Sequence, residues 1–302
     1  MSFSSHYLTC AGREIHYLDW GGATATGPTV IAWHGLARTG RDMDELAAYL
    51  SERKDLGGLD CRVICPDTLG RGLSQWSPEP DLEYCLTFYA RIAADLFAQL
   101  KIEKAHWVGT SMGGALGLVC ASGLFQPQLK GAILSLTLND TAPQVADAAI
   151  ARIRAYAGNP PAFGTVRELE AFFREVYKPY GFLTDAQWRR LTETSVRRLP
   201  DGRVTPHYDP AMVRQFVNFP DDYLIWPHYD ALDIPNLCLR GESSDLVQRD
   251  TTAQMMGRGP GLKGLTQVME VAGCGHAPAL NVASQLERVA EFIASCNPGQ
   301  LR

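Results

Sequence analysis

The chain has 302 residues, a formal net charge of −5, 46% hydrophobic residues and 20% charged residues. This is ordinary globular usage with enough apolar mass to bury a site, and its acidic balance argues against nucleic acid, whose binding needs basic surface. No run approaches the ~18 apolar residues of a membrane span, and the N-terminal stretch lacks a basic start followed by an apolar run, so no membrane partner is expected and the expected location is cytoplasmic.

In chain order, residues 13–20 alternate, with Ile15 and Tyr17 on one side, and read as a strand. A short buried strand at 29–33 ends at His34-Gly35, and 41–53 shows helical spacing through Met43, Leu46, Ala47 and Leu50. A strand at 62–65 is closed by Pro66, a helix at 84–100 carries Ile92, Leu96 and Leu100 on one stripe, and a strand at 105–108 leads into a small-residue helix at 112–124. Another strand follows at 132–138. The rhythm breaks between about Pro143 and Leu232, where 146–157, 166–177, 185–198 and 210–219 look helical and no buried strand is evident. It resumes with a strand at 236–240, a helix at 248–256, a strand at 264–271 and a helix at 281–296. Alternation of this kind predicts an α/β fold, with a mostly parallel sheet covered by helices on both faces. The division expected is a core of residues 1–142 and 233–302 with a helical cap at 143–232.

The eight cysteines show no CxxC pair and no Cys/His cluster with zinc spacing, so they read as reduced core residues and no metal or other cofactor is expected.

Gly109-Thr110-Ser111-Met112-Gly113 has the pattern G-x-S-x-G between a strand and a helix. The turn from strand to helix must be sharp, glycines allow the close approach, and the helix N-terminus offers N–H groups to a developing oxyanion. A serine hydroxyl is a poor nucleophile at neutral pH and needs a base oriented by a third group. Of the seven histidines, His276 follows the last predicted strand, at the end of the sheet where such folds place chemistry. Asp245, a few residues beyond the strand at 236–240, is the preferred acid. Asp140, at the end of the strand before the insertion, is the alternative, and Glu242 is third. The oxyanion hole is expected from the backbone N–H groups of Met112 and Leu36, with His34 shaping the loop before Leu36 or contacting substrate. Arg38 either holds a substrate carboxylate or pairs with Asp42, Asp44 or Glu45 on the next helix.

These features together resemble the α/β-hydrolase superfamily. His34-Gly35 looks like its HG motif, and Asp67-Thr68-Leu69-Gly70-Arg71-Gly72-Leu73-Ser74 looks like its D-x-x-G-x-G-x-S loop. Ser111 matches its nucleophile elbow, Asp245 its usual acid position and His276 its G-x-G-H position. The resemblance implies an eight-stranded sheet whose second strand is antiparallel, with a helical cap inserted after strand six. Branches with aspartate at the elbow are set aside, because serine stands there. The expected function is hydrolysis of an ester-type bond (carboxylic ester, lactone or thioester) in a small, partly apolar molecule through an acyl-enzyme. Alternatives are carbon–carbon or amide hydrolysis, acyl transfer, and a catalytically silent small-molecule receptor. The expected partner is a small-molecule substrate, and the sequence leaves a homodimer open.

Overall fold

A computed structural model describes residues 3–52 and 58–296. Its main sheet contains β1 (Phe3–Cys10), β2 (Arg13–Trp20), β3 (Thr29–Trp33), β4 (Arg62–Pro66), β5 (Ala105–Thr110), β6 (Ile133–Asn139), β9 (Asn236–Gly241) and β10 (Thr266–Val271). The spatial order is β1-β2-β4-β3-β5-β6-β9-β10. β2 pairs antiparallel with β1 and β4, and the pairs from β4 through β3, β5, β6 and β9 to β10 are parallel. The eight-stranded, mostly parallel sheet with an antiparallel second strand is as expected.

Successive residues of the central strands feed two separate cores, as the two-residue period of a strand dictates. Val30 and Ala32 of β3 face one core while Ile31 and Trp33 face the other; Val108 and Trp107 of β5 divide likewise. One face is covered by α1 (Asp44–Leu50) and α11 (Ala283–Ser295), and the other by α3 (Leu86–Gln99) and α4 (Met112–Ser122). The short α2 (Pro80–Glu83) precedes α3, and α10 (Arg249–Met256) lies between β9 and β10. The helix expected at 41–53 begins as a 3₁₀ turn at Gly40–Met43, and its last residue, Arg53, lies outside the described residues. No helix among the described residues is long and apolar enough to cross a membrane.

Between β6 and β9 the chain forms α5 (Asp147–Ala157), α6 (Val166–Val176), α7 (Asp185–Glu193), α8 (Gln215–Asn218) and α9 (Trp226–Asp230). The purely helical reading of this stretch is corrected at one place. Val196–Arg198 (β7) and Val204–Pro206 (β8) form an antiparallel hairpin, so Arg197 and Arg198 lie on a strand rather than at the end of a helix. Thr165 and Thr184 close capping boxes with Glu168 and Gln187, which start α6 and α7. Leu169, Phe173, Tyr177, Trp188, Leu191 and Val204 make a small core of the insertion's own. Buried polar ties join it to the sheet's loops: the Tyr84 hydroxyl donates to Asp209 at 2.5 Å and the Leu86 N–H to Asp222 at 2.8 Å.

The loop after β4 is organised by Asp67, which is 3% exposed. Its carboxylate accepts from the Gly40 N–H at 2.6 Å, from the Leu73 N–H at 2.9 Å and from His16 Nδ1 at 2.7 Å. Burial alone would raise its pKa, but the His16 hydrogen bond and the other donors outweigh burial and hold it below the ordinary carboxylate value. A depressed carboxylate stabilises the fold above its unfolded pKa, and that contribution is lost as pH falls through the folded value. Asp67→Asn is expected to cost about 1–3 kcal/mol in denaturant unfolding at neutral pH. The deficit should shrink as pH is lowered through the carboxylate range. A deficit that stays constant with pH would contradict this role of the carboxylate.

Candidate active site

Ser111 sits between β5 and α4 with φ +52° and ψ −117°, a strained backbone for a residue with a side chain. The packing around the turn explains its glycines. A Cβ on Gly113 would lie 2.3 Å from the Trp33 carbonyl oxygen, and one on Gly109 would lie 2.2 Å from that of Gly113. Trp107, stacked on Trp33 with ring centroids 5.3 Å apart, donates its indole N–H to the Gly113 carbonyl at 2.9 Å. The Ser111 N–H donates to the Asn139 carbonyl at 2.9 Å, which ties the turn to the end of β6. The Met112 N–H, first in α4, has no acceptor within the helix.

His276 lies in the loop beyond β10, and the carboxylate that meets it belongs to Asp140. Asp140 is completely buried one residue past β6, with φ +49°. Its Oδ1 accepts from the Gly241 N–H at 2.8 Å. Its Oδ2 accepts from the Ser244 hydroxyl at 2.7 Å and from His276 Nδ1 at 2.7 Å. In a neutral ring, an Nδ1–H engaged in this way leaves the lone pair on Nε2. The loop is anchored by Asn139, whose side-chain amide donates to the Pro278 carbonyl at 2.8 Å and to the Thr110 hydroxyl at 3.0 Å.

The preferred acid of the sequence reading is therefore corrected. Asp245 has a 51% exposed side chain and pairs with Arg152 at 2.8 Å. It lies four residues beyond the end of β9, on the outer side of a loop whose inner side, through Gly241 and Ser244, turns toward Asp140. Glu242 accepts from the Gly273 N–H at 3.0 Å, away from His276.

Ser111 stands between two clefts. One is apolar, with Met112, Val145, Ile150, Ile153 and Leu246 in its walls. The other is more polar and includes Arg38, Tyr156, Tyr177, Tyr180 and His276. Leu36 and Ser111 border both. Segments of the insertion wall both clefts, so the residues after β6 shape the site as much as the sheet does.

Arg71 is a fully buried cation that the sequence reading did not single out. Its Nε donates to the Leu36 carbonyl at 2.9 Å, its Nη1 to the Leu69 carbonyl at 2.6 Å and to the Tyr89 hydroxyl at 2.7 Å, and its Nη2 lies 3.6 Å from Met112 Sδ. One guanidinium thus touches both residues expected to supply oxyanion donors. The only local signal was its place between the two glycines of the 67–74 loop.

His34 is set back from both clefts. It is fully buried outside the walls of both clefts, and its Nδ1 donates to the Gly35 carbonyl at 2.6 Å. Its Nε2 accepts the Thr68 N–H at 2.9 Å, so it clamps the loop that carries Leu36 onto the loop that carries Arg71. Arg38 meets one of its expected carboxylates, with Nε and Nη2 each 2.6 Å from Asp42, and it also lines the polar cleft.

The alpha/beta hydrolase family model matches residues 30–292. The 3-hydroxybutyrate-oligomer hydrolase of Cupriavidus necator is 34% identical over 290 residues, covering 93% of each chain. A crystal structure of an alpha/beta hydrolase from Novosphingobium aromaticivorans matches with a TM-score of 0.81 and 30% identity over 96% of this chain and 98% of its own. E-2-(acetamidomethylene)succinate hydrolase matches with a TM-score of 0.79 and 24% identity over 97% and 99%, a likeness of fold.

Burial pushes the His34 imidazole down to about 4, so the clamp is neutral at physiological pH. The unfolded chain takes up this proton near pH 6.5 and the folded chain does not, so this contribution to stability falls as pH drops from about 6.5 toward 4. In an NMR titration the His34 ring is expected to remain unprotonated from pH 8 to pH 5. A midpoint near 6.5 would contradict the clamp.

Proposed function

The chain belongs to the alpha/beta hydrolase family and is a hydrolase, and within that family we propose that it is a serine esterase acting through Ser111, His276 and Asp140. The observation that carries this reading is the buried Asp140 carboxylate held 2.7 Å from Nδ1 of His276, a residue that shares a cleft with Ser111. Asp140 fixes the ring so that Nε2 faces the cleft as a base, and it stabilises the imidazolium that forms. Ser111 Oγ attacks the ester carbonyl carbon as its proton passes to His276. The Met112 and Leu36 N–H groups receive the oxyanion, and Arg71 steadies both donors from behind. His276 then protonates the departing alcohol oxygen, and a water molecule, deprotonated by the same ring, releases the acid from Ser111.

The substrate class we propose is a short ester of a hydroxy acid. The 34% identical relative, a 3-hydroxybutyrate-oligomer hydrolase, supports it, as does the pairing of a small apolar cleft with a polar one on either side of Ser111.

Ser111→Ala is expected to lower kcat on a 3-hydroxybutyrate dimer by about a million-fold and to abolish labelling by a fluorophosphonate. Asp140→Asn should lower kcat about ten-thousand-fold, because the ring loses its orienting acceptor. Asp245→Asn should change it by no more than a few-fold, as expected of an exposed surface pair. Full activity in Ser111→Ala, or a larger loss in Asp245→Asn than in Asp140→Asn, would refute the assignment.

A further inference from the structure

The two clefts differ in a way that orients the substrate. His276 lines the polar cleft and is absent from the walls of the apolar one. In the proposed reaction His276 must hand its proton to the oxygen of the leaving alcohol, so the alcohol half has to lie on the His276 side. The acyl half is then left with the apolar cleft beneath α5.

The polar cleft has a specific demand of its own. Arg38 is 2% exposed, and Asp42 occupies only its Nε and Nη2. Its Nη1 is buried and makes no hydrogen bond of good geometry among the described residues; the Tyr177 hydroxyl interacts with the guanidinium but, being neutral, leaves its charge without a second anionic partner. A buried cationic donor left in this way is costly, and an anionic ligand group would relieve that cost. The guanidinium is held in place: Asp42 grips it from one edge, the Tyr177 ring lies 4.6 Å from its centre and the Phe173 ring 5.6 Å. Around it, burial pushes the Tyr156, Tyr177 and Tyr180 phenols above their ordinary value, so they stand as neutral hydroxyl donors. Arg152, which also lines this cleft, is held by Asp245.

Building on the Ser111 esterase reading, we propose that Arg38 binds the carboxylate of the leaving alcohol half, so that the enzyme removes a hydroxy acid from the acid end of its substrate. In an ester of a 3-hydroxy acid the terminal carboxylate stands only two carbons beyond the carbon that bears the scissile oxygen. One side of the site can therefore hold the proton donor and the anion anchor together. As Ser111 Oγ bonds to the carbonyl carbon, the bond from that carbon to the alcohol oxygen breaks. The proton that His276 took from Ser111 goes to that oxygen, and the free hydroxy acid leaves from the Arg38 cleft.

The test compares a 3-hydroxybutyrate dimer as the free acid with the same dimer carrying a methyl ester on its terminal carboxylate. The bond cleaved is the same and only the anion is masked. The unaltered enzyme is expected to prefer the free acid by about 10- to 100-fold in kcat/KM, mainly through KM, as charge-assisted hydrogen bonds warrant. Arg38→Gln should bring the ratio near one, and Arg38→Lys should restore part of it. A trimer labelled in its acid-end unit should release labelled monomer first. Equal use of both dimers by the unaltered enzyme, an undiminished ratio in Arg38→Gln, or unlabelled monomer appearing first would overturn the Arg38 assignment. Fluorophosphonate labelling of Ser111 in each variant separates this failure from that of the esterase reading: a labelled enzyme without acid preference sinks the Arg38 assignment alone, whereas an unlabelled enzyme that cleaves neither dimer sinks both.

Discussion

The Asp140 carboxylate is the constraint on which the rest of the site depends. A fully buried carboxylate costs several kcal/mol unless donors surround it. Here three donors come from two separate stretches of chain: the Gly241 N–H at the end of β9 with the Ser244 hydroxyl in the loop just beyond it, and His276 in the loop beyond β10. Satisfying this one group brings the ends of β6, β9 and β10 to a common point. Its neighbour Asn139 does the same on the other side, since its carbonyl accepts the Ser111 N–H and its side chain holds the Pro278 carbonyl. Two adjacent residues at the end of one strand thus fix the positions of Ser111 and His276 relative to each other.

On the opposite side of Ser111 the loops after β3 and β4 are built with the same economy. His34 is neutral because it is buried, and it spends both ring nitrogens on backbone groups. Arg71 gives its donors to carbonyls and a hydroxyl rather than to a carboxylate. In the proposed reaction this positive charge, which pairs with no carboxylate among the described residues and lies behind Leu36 and Met112, would favour an oxyanion at their N–H groups. Asp67 in turn holds the loop that carries Arg71.

The sequence was most readable where local pattern decides structure. The Ser111 turn demands small residues at fixed positions, and Gly109 and Gly113 supply them. The central strands are covered on both faces and show as continuous apolar runs. What stayed hidden depends on long-range geometry. Asp140 and Asp245 follow neighbouring strands, and nothing local says which one turns inward. The left-handed backbone of Asp140 and its direct abutment on β6 set it toward His276, while Asp245 pairs with Arg152 in solvent. The first strand escaped because it is an edge strand whose residues are mostly exposed and polar. The hairpin at β7 and β8 escaped because three-residue strands carry too few positions to show a period. Arg71 gave no warning because its importance lies in which atoms it touches.

The most direct measurement is the proton NMR signal of the His276 ring N–H held by Asp140, sought far downfield where a strong imidazole–carboxylate hydrogen bond places it. The signal should be present in the unaltered protein, persist in Asp245→Asn and vanish or move sharply upfield in Asp140→Asn. Its survival in Asp140→Asn together with its loss in Asp245→Asn would contradict the arrangement from which the whole site has been derived.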